Sequence, residues 1–198
     1  MKYYDQLLKR LLVLFGLFLL AAPLGASAAD NMTVGGWEPA AGDVFIVDVP
    51  SNMGYLVHED GRAFPFTVAT GRKAFVHYIG KYYNAETPLR TWKAQSREST
   101  NDRYTFGVSG RFLRLYQDGN RTSYGIHSYY KVDEWMQQDE RFLSMGCIIV
   151  TENILDVIEK TYTLNKKSLT IITTDDVEDE LLSLMYTPKE TFGPIAKK

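Results

Sequence analysis

Apolar and polar residues alternate along residues 43–49, the period of a half-buried strand, and Pro50-Ser51-Asn52 ends the run. Residues 54–58 open a second strand. Asp60-Gly61 marks a hairpin turn, and residues 62–70 return as a third strand with Pro65 pointing to a sheet edge. Gly71-Arg72-Lys73 punctuates the chain before a short apolar piece at 74–79. Thr87-Pro88 opens a loop, residues 90–94 have strand character around Trp92, and residues 96–103 read as a polar loop. Residues 111–116, the turn Asp118-Gly119-Asn120 and residues 122–127 form a hairpin that brings His127 to its far end. Residues 129–142 read as polar helix or loop, with Trp135 and Met136 as docking points. Residues 148–150 are a short buried strand, and residues 168–173 a final one. Between them residues 153–162 suit a helix, with Asn153 as N-cap and Asp156 completing a capping box. Residues 175–184 form a short acidic helix with carboxylates at its favourable end. Strands outnumber helices and fall mostly in consecutive hairpins, so the expected class is mainly β with short helices.

The N-terminus departs from this pattern. Lys2, Lys9 and Arg10 precede an apolar run of twelve (11–22), Pro23 and Gly25 break it, and Ala26-Ser27-Ala28 follows as a small-x-small site. The run is short for a membrane span and fits a secretory signal cleaved after Ala28, leaving no stable span. No cysteine follows it, which excludes lipid attachment there. The expected organisation is a signal peptide at 1–28, a linker at 29–42, one domain at 43–174, and an acidic C-terminal helix and loose tail at 175–198. That domain is long enough for a sizeable core. Of the 22 basic residues three lie in the signal, against one of the 24 acidic ones, so the processed chain is more acidic than the full-length −2. Such a balance excludes nucleic acid as a partner, since that needs a concentrated basic surface. The destination is the periplasm or cell envelope.

For an exported chain, a single cysteine is informative, because secreted domains use cysteines in disulfide pairs. An odd one is an intermolecular bridge, a buried inert thiol, or a thiol kept for its reactivity. Cys147 follows Gly146 in Ser144-Met145-Gly146-Cys147-Ile148-Ile149-Val150, and His127 lies twenty positions upstream. Cysteine with histidine permits nucleophilic catalysis: imidazole takes the thiol proton and returns it to a leaving amine. Ser128 offers a carbonyl or hydroxyl to fix the imidazole tautomer, and backbone N–H groups at Met145, Gly146 and Cys147 could hold an oxyanion. Three histidines without metal-ligand spacing give no metal site, and no cofactor motif is present.

These segments resemble the L,D-transpeptidase catalytic-domain family (YkuD type). That family has a Gly-Ile-His segment and, some twenty residues later, a Ser-His-Gly-Cys-(Ile/Val)-Arg block. Tyr124-Gly125-Ile126-His127-Ser128 matches the first closely, and Ser144-Met145-Gly146-Cys147-Ile148-Ile149 matches the second in part. Val68-Ala69-Thr70-Gly71-Arg72, Thr87-Pro88 and Asn153 agree in order, so the likeness runs over roughly residues 43–173. The resemblance implies a YkuD-like β-sandwich and a cysteine acyltransferase of peptidoglycan stem peptides. Cys147 would be nucleophile and His127 base, Ser128 would orient His127, and Gly146 would shape the oxyanion turn. Ser144, Met145, Ile149 and Tyr124 would line the substrate site. The acceptor would be another stem, a lipoprotein lysine in the envelope, or water. Met145 stands where the family has a second histidine and Ile149 where it has arginine. Neither carries charge or donates a strong hydrogen bond, so substrate carboxylate binding or loop polarity must differ. Arg90, Arg97 and Arg103 are the candidates to supply that charge. The alternative is a catalytically silent relative that binds peptidoglycan or an envelope partner.

Overall fold

The computed structural model describes residues 34–78 and 80–186. The expected signal peptide and the last dozen residues lie outside the described residues.

Alternation builds the first strands as expected. β1 (Val44–Asp48) pairs antiparallel with β2 (Met53–Val57), and β2 with β3 (Ala63–Thr67), where Pro65 sits on a sheet edge. β4 (Thr70–Gly71) follows, then a hairpin of β5 (Phe75–Tyr78) and β6 (Lys81–Asn84). β7 (Arg90–Ser99), β8 (Arg111–Gln117) and β9 (Asn120–His127) form a long antiparallel meander. α1 (Val132–Met136), β10 (Phe142–Ser144) and β11 (Ile148–Ile149) surround the cysteine. α2 (Glu152–Leu164), β12 (Leu169–Thr174) and α3 (Val177–Tyr186) complete the chain.

Eight strands form one sheet in the order β11-β9-β8-β7-β12-β1-β2-β3. Its two ends meet: Ala69, just beyond β3, exchanges backbone hydrogen bonds with Ile149 on β11 (2.8 and 2.9 Å). The sheet therefore curls on itself. Its inner face (Phe45, Val47, Leu56, Trp92, Leu113, Ile126, Ile148 and Leu169 among others) packs against Ile154, Leu155, Val157, Ile158 and Tyr162 of α2. Burying aliphatic and aromatic side chains from both layers provides the main driving force, about 25 cal/mol per Å² of apolar surface.

Consecutive hairpins dominate as expected, while β1 with β12, β9 with β11 and β4 with β10 are parallel, joined by long connections. Three expectations need correcting. Residues 96–99 are strand, not loop, because Arg97, Glu98 and Ser99 pair with Leu113, Phe112 and Arg111. The N-cap of α2 is Thr151, which makes no side-chain cap bond, and Asp156 pairs with Arg111 instead of closing a capping box. Finally, Trp37 of the presumed linker is buried, stacked on His58 at 3.8 Å, while His58 Nδ1 meets buried Asp43 at 2.5 Å.

Candidate active site

The sheet register brings the cysteine and histidine together. Ile148 and Ile149 of β11 pair in parallel with Ile126 and His127 of β9. Ile126 and Ile148 point into the core, so the alternation of the pleat puts Cys147 and His127 on the opposite face of neighbouring strands. Cys147 is level with Gly125, two residues short of His127. Strand spacing and rise then set a Cα separation on the order of 8 Å, within reach of the two side chains.

Strand β9 and the chain after it fix the imidazole. His127 is 6% exposed, with Phe112 stacked on it at 5.4 Å and Phe106 tilted against it at 4.9 Å. Gly125 makes room for that stack, since a Cβ there would lie 2.1 Å from the Phe112 ring. Nδ1 lies 2.6 Å from the Ser128 carbonyl oxygen. A carbonyl can only accept, so Nδ1 carries the hydrogen and Nε2 the basic lone pair. Ser128 therefore orients the ring through its backbone. Its hydroxyl is buried and has no partner among the described residues. Burial pushes the imidazole pKa down to about 4, against the carbonyls of Ser128 and Thr105 and the charge of Asp102, which favour the cation. At neutral pH His127 is an uncharged base.

The turn before the cysteine is held from three directions. Gly146 has φ +112°, a conformation that L side chains rarely adopt. A Cβ there would lie 2.7 Å from the Tyr124 ring. The Ser144 hydroxyl accepts from Gly146 N–H (3.1 Å) and donates to the Cys147 carbonyl (2.6 Å). Thr87 Oγ1 accepts from Gly71 N–H (2.8 Å) and donates to the Gly146 carbonyl (3.0 Å). From β6, Tyr83 donates its hydroxyl to the Met145 carbonyl at 3.2 Å. Beneath this, Arg141 is buried and donates to the carbonyls of Val68, Gln138, Ser51 and Asn52, bracing β4 and β10.

The half-buried thiol is uncharged at rest. Burial pushes the Cys147 pKa up to about 11, opposed by a hydrogen bond from the Gly125 backbone and by the charge of Arg114. Sγ lies 4.0 Å from the Ser123 carbonyl. Burial, then the nearby Cys147, also raises the phenol of Tyr83. The Tyr124 phenol is raised by burial too, opposed by Arg90 and supported by Cys147.

Six of the eight residues expected at the site, Cys147, His127, Ser128, Gly146, Met145 and Tyr124, surround the thiol or hold its partners. Ser144 (5% exposed) and Ile149 (2%) are brought there as well, but buried. Ser144 uses its hydroxyl on the turn, and Ile149 packs with Ala69 and Val132, so neither presents its side chain to a ligand. The Gly146 N–H is occupied by Ser144, which leaves the N–H groups of Met145 and Cys147 for an oxyanion. Of the three candidate arginines, Arg97 lies 3.1 Å from Glu159 and Arg103 sits against Gly110. Arg90 packs over Trp92 and bonds Gln117, where its charge reaches Tyr124. Sequence reasoning missed Phe112, Arg141 and Arg114. A buried arginine that braces carbonyls looks like any surface cation in sequence. The alternation around Phe112, by contrast, did mark a strand neighbouring His127.

The family model described as the L,D-transpeptidase catalytic domain, YkuD, matches residues 42–171. Among solved structures, an L,D-transpeptidase of Xylanimonas cellulosilytica (residues 123–326) is similar with TM-score 0.50 and 16% identity, over 70% of this chain and 65% of that one. Bd1075 of Bdellovibrio bacteriovorus gives TM-score 0.48 at 15% identity, over 74% and 53%. The helical cell shape determining protein Pgp2 of Campylobacter jejuni (K307A mutant) gives 0.47 at 17%, over 74% and 51%. The chain thus spans about two-thirds of the first and about half of the other two. At 16% identity the first of these likenesses is one of fold. Comparison with curated proteins gave no match. The matched span covers most of the curled sheet, with His127 and Cys147, and on that ground the chain belongs to the L,D-transpeptidase catalytic-domain family, YkuD.

Proposed function

We propose that the chain is a cell-envelope cysteine acyltransferase of peptidoglycan stem peptides, acting through a thioester on Cys147. The observation that carries this reading is the parallel β9–β11 register, which puts the thiol and a tautomer-fixed neutral imidazole on one face. The Cys147 S–H bond breaks and its proton passes to Nε2 of His127. The sulfur then bonds to the stem's acyl carbon, whose electron pair moves to oxygen beside the Cys147 N–H. Collapse breaks the C–N bond, and the imidazolium gives its proton to the leaving amine, D-alanine in a tetrapeptide stem. A second amine, from another stem or a lipoprotein lysine, or water, then attacks the thioester with His127 again as base.

On this reading the chain works in the periplasm or envelope after export by the expected signal peptide. Among the described residues no helix is long and apolar enough to cross a membrane. Incubation of the protein with tetrapeptide muropeptides is expected to release D-alanine, and Cys147→Ala to abolish release. Equal release by both proteins would sink the proposal.

One observation favours a second reading. The thiol is raised and the residues beside it, Met145 and Ile149, carry no charge, as in a silent relative that binds peptidoglycan without turnover. Retention of the protein on sacculi with neither D-alanine release nor an adduct on Cys147 would select it.

A further inference from the structure

His127 is neutral at rest, and burial disfavours the imidazolium that forms with the thiolate, so a permanent positive charge elsewhere would favour the anion on Cys147. Arg114 of β8 pairs with Gly125 of β9, and Gly125 is level with Cys147, so the three residues make one row across three strands. Phe112 and His127, two residues along each strand, share that face. The middle position of the row carries no side chain.

Arg114 is held firmly. Nε and Nη2 bond the two carboxylate oxygens of Glu98 on β7 (3.0 and 2.6 Å), and Nη1 bonds the Thr122 carbonyl (3.2 Å). The guanidinium lies 4.2 Å from the centre of the Phe112 ring, the same ring that stacks on His127. Arg121 of β9 shares Glu98 from the solvent side at 3.0 Å. Hydrogen bonds from Arg114, then from Arg121, hold the Glu98 carboxyl down to about 2, so this trio carries one net positive charge throughout the neutral range.

We infer that Arg114 is a positioning residue for the reaction: the Glu98–Arg114–Arg121 trio supplies the positive field that stabilises the Cys147 thiolate. The inference rests on the reading of Cys147 as nucleophile. The other titratable groups around the thiol are Tyr124 and His127 of β9, Tyr83 of β6 and Tyr129 before α1. All are uncharged at neutral pH. Arg72, which bonds the Leu143 carbonyl at 3.1 Å, and Lys73, which lies over Phe142, are cations held against β10, ahead of the turn. Arg114 is the cation whose charge lowers the thiol pKa.

The test is the rate of Cys147 alkylation by iodoacetamide, an uncharged reagent, on the full chain at pH 9, where the rate follows the thiolate fraction. Arg114→Gln is expected to slow alkylation about threefold, half a pH unit of displacement for a charge that is near but not in contact. Glu98→Gln is expected to speed it by a similar factor, because it leaves two positive charges unopposed. Arg121→Gln should slow it less, and Arg114→Lys should restore most of the rate. If Arg114→Gln misfolds, as judged by circular dichroism, the opposite signs at Glu98 and Arg121 decide the matter. Rates that do not change, or that all change in one direction, would overturn the inference and leave D-alanine release untouched as the test of function. Absence of release in the wild-type protein, with the opposed rates intact, would instead remove the reading of Cys147 and keep the electrostatic result.

Discussion

At Gly146 a backbone φ of +112° and a ring edge 2.7 Å from where a Cβ would stand leave no room for any other residue. Gly146→Ala is therefore expected to cost about 1–3 kcal/mol in urea unfolding and to lose most acyl transfer, because the Cys147 carbonyl and N–H move with the turn. His127 makes a prediction of opposite visibility. Its folded pKa, about 4, lies below the ordinary 6.5, so the unfolded chain binds more protons between those values. The associated stability is present above about pH 6.5 and is lost as pH falls toward 4, a difference of about 3 kcal/mol. His127→Gln should flatten that part of the stability–pH curve, measured by urea melts at pH 7, 5.5 and 4. At this scale the sequence was most legible for Gly146, Cys147 and His127, whose chemistry is carried by residue type. It misled at Ser144 and Ile149, because nothing local shows that a hydroxyl is engaged with the turn or that an isoleucine is covered by Val132.

Between elements, long-range ion pairs decide what the sequence left ambiguous. Arg111 at the start of β8 reaches Glu152 (2.8 Å), Asp156 (2.5 Å) and Glu159 (3.0 Å) on one side of α2, and Glu159 is 7% exposed. This clamp explains why Asp156 does not cap the helix, and why a polar stretch at 96–99 continues as strand: Arg97 meets Glu159 and Glu98 meets Arg114. Arg111→Met should lower stability by about 3 kcal/mol, since it leaves the buried Glu159 carboxylate to Arg97 alone and frees Glu152 and Asp156 of their shared partner, and thermal melts would read the loss. Double replacement with Glu159→Leu should recover part of it. The β5–β6 hairpin was half seen: its second strand carries Tyr82 and Tyr83, but the near-uniform exposure of both strands leaves no alternation to read.

For the molecule as a whole, the mainly β class followed from alternation and turn residues, and the domain family from a few ordered motifs. Parallel pairing did not follow. Whether β11 lies beside β9 or returns elsewhere depends on α2 filling the curl and on Ala69 closing it against Ile149, contacts between residues 80 positions apart. The proposed function depends on that closure, because it is the β9–β11 register that converts a cysteine and a histidine twenty residues apart in sequence into neighbours. The central claim is that these neighbours make an acyl-enzyme. The most direct measurement is the intact mass of the protein after brief exposure to a tetrapeptide muropeptide, with peptide mapping of the modified residue. The account predicts a wild-type adduct equal to the muropeptide minus one D-alanine, mapped to Cys147 and absent from Cys147→Ala. Free D-alanine with no such adduct, or an adduct on any other residue, would contradict it.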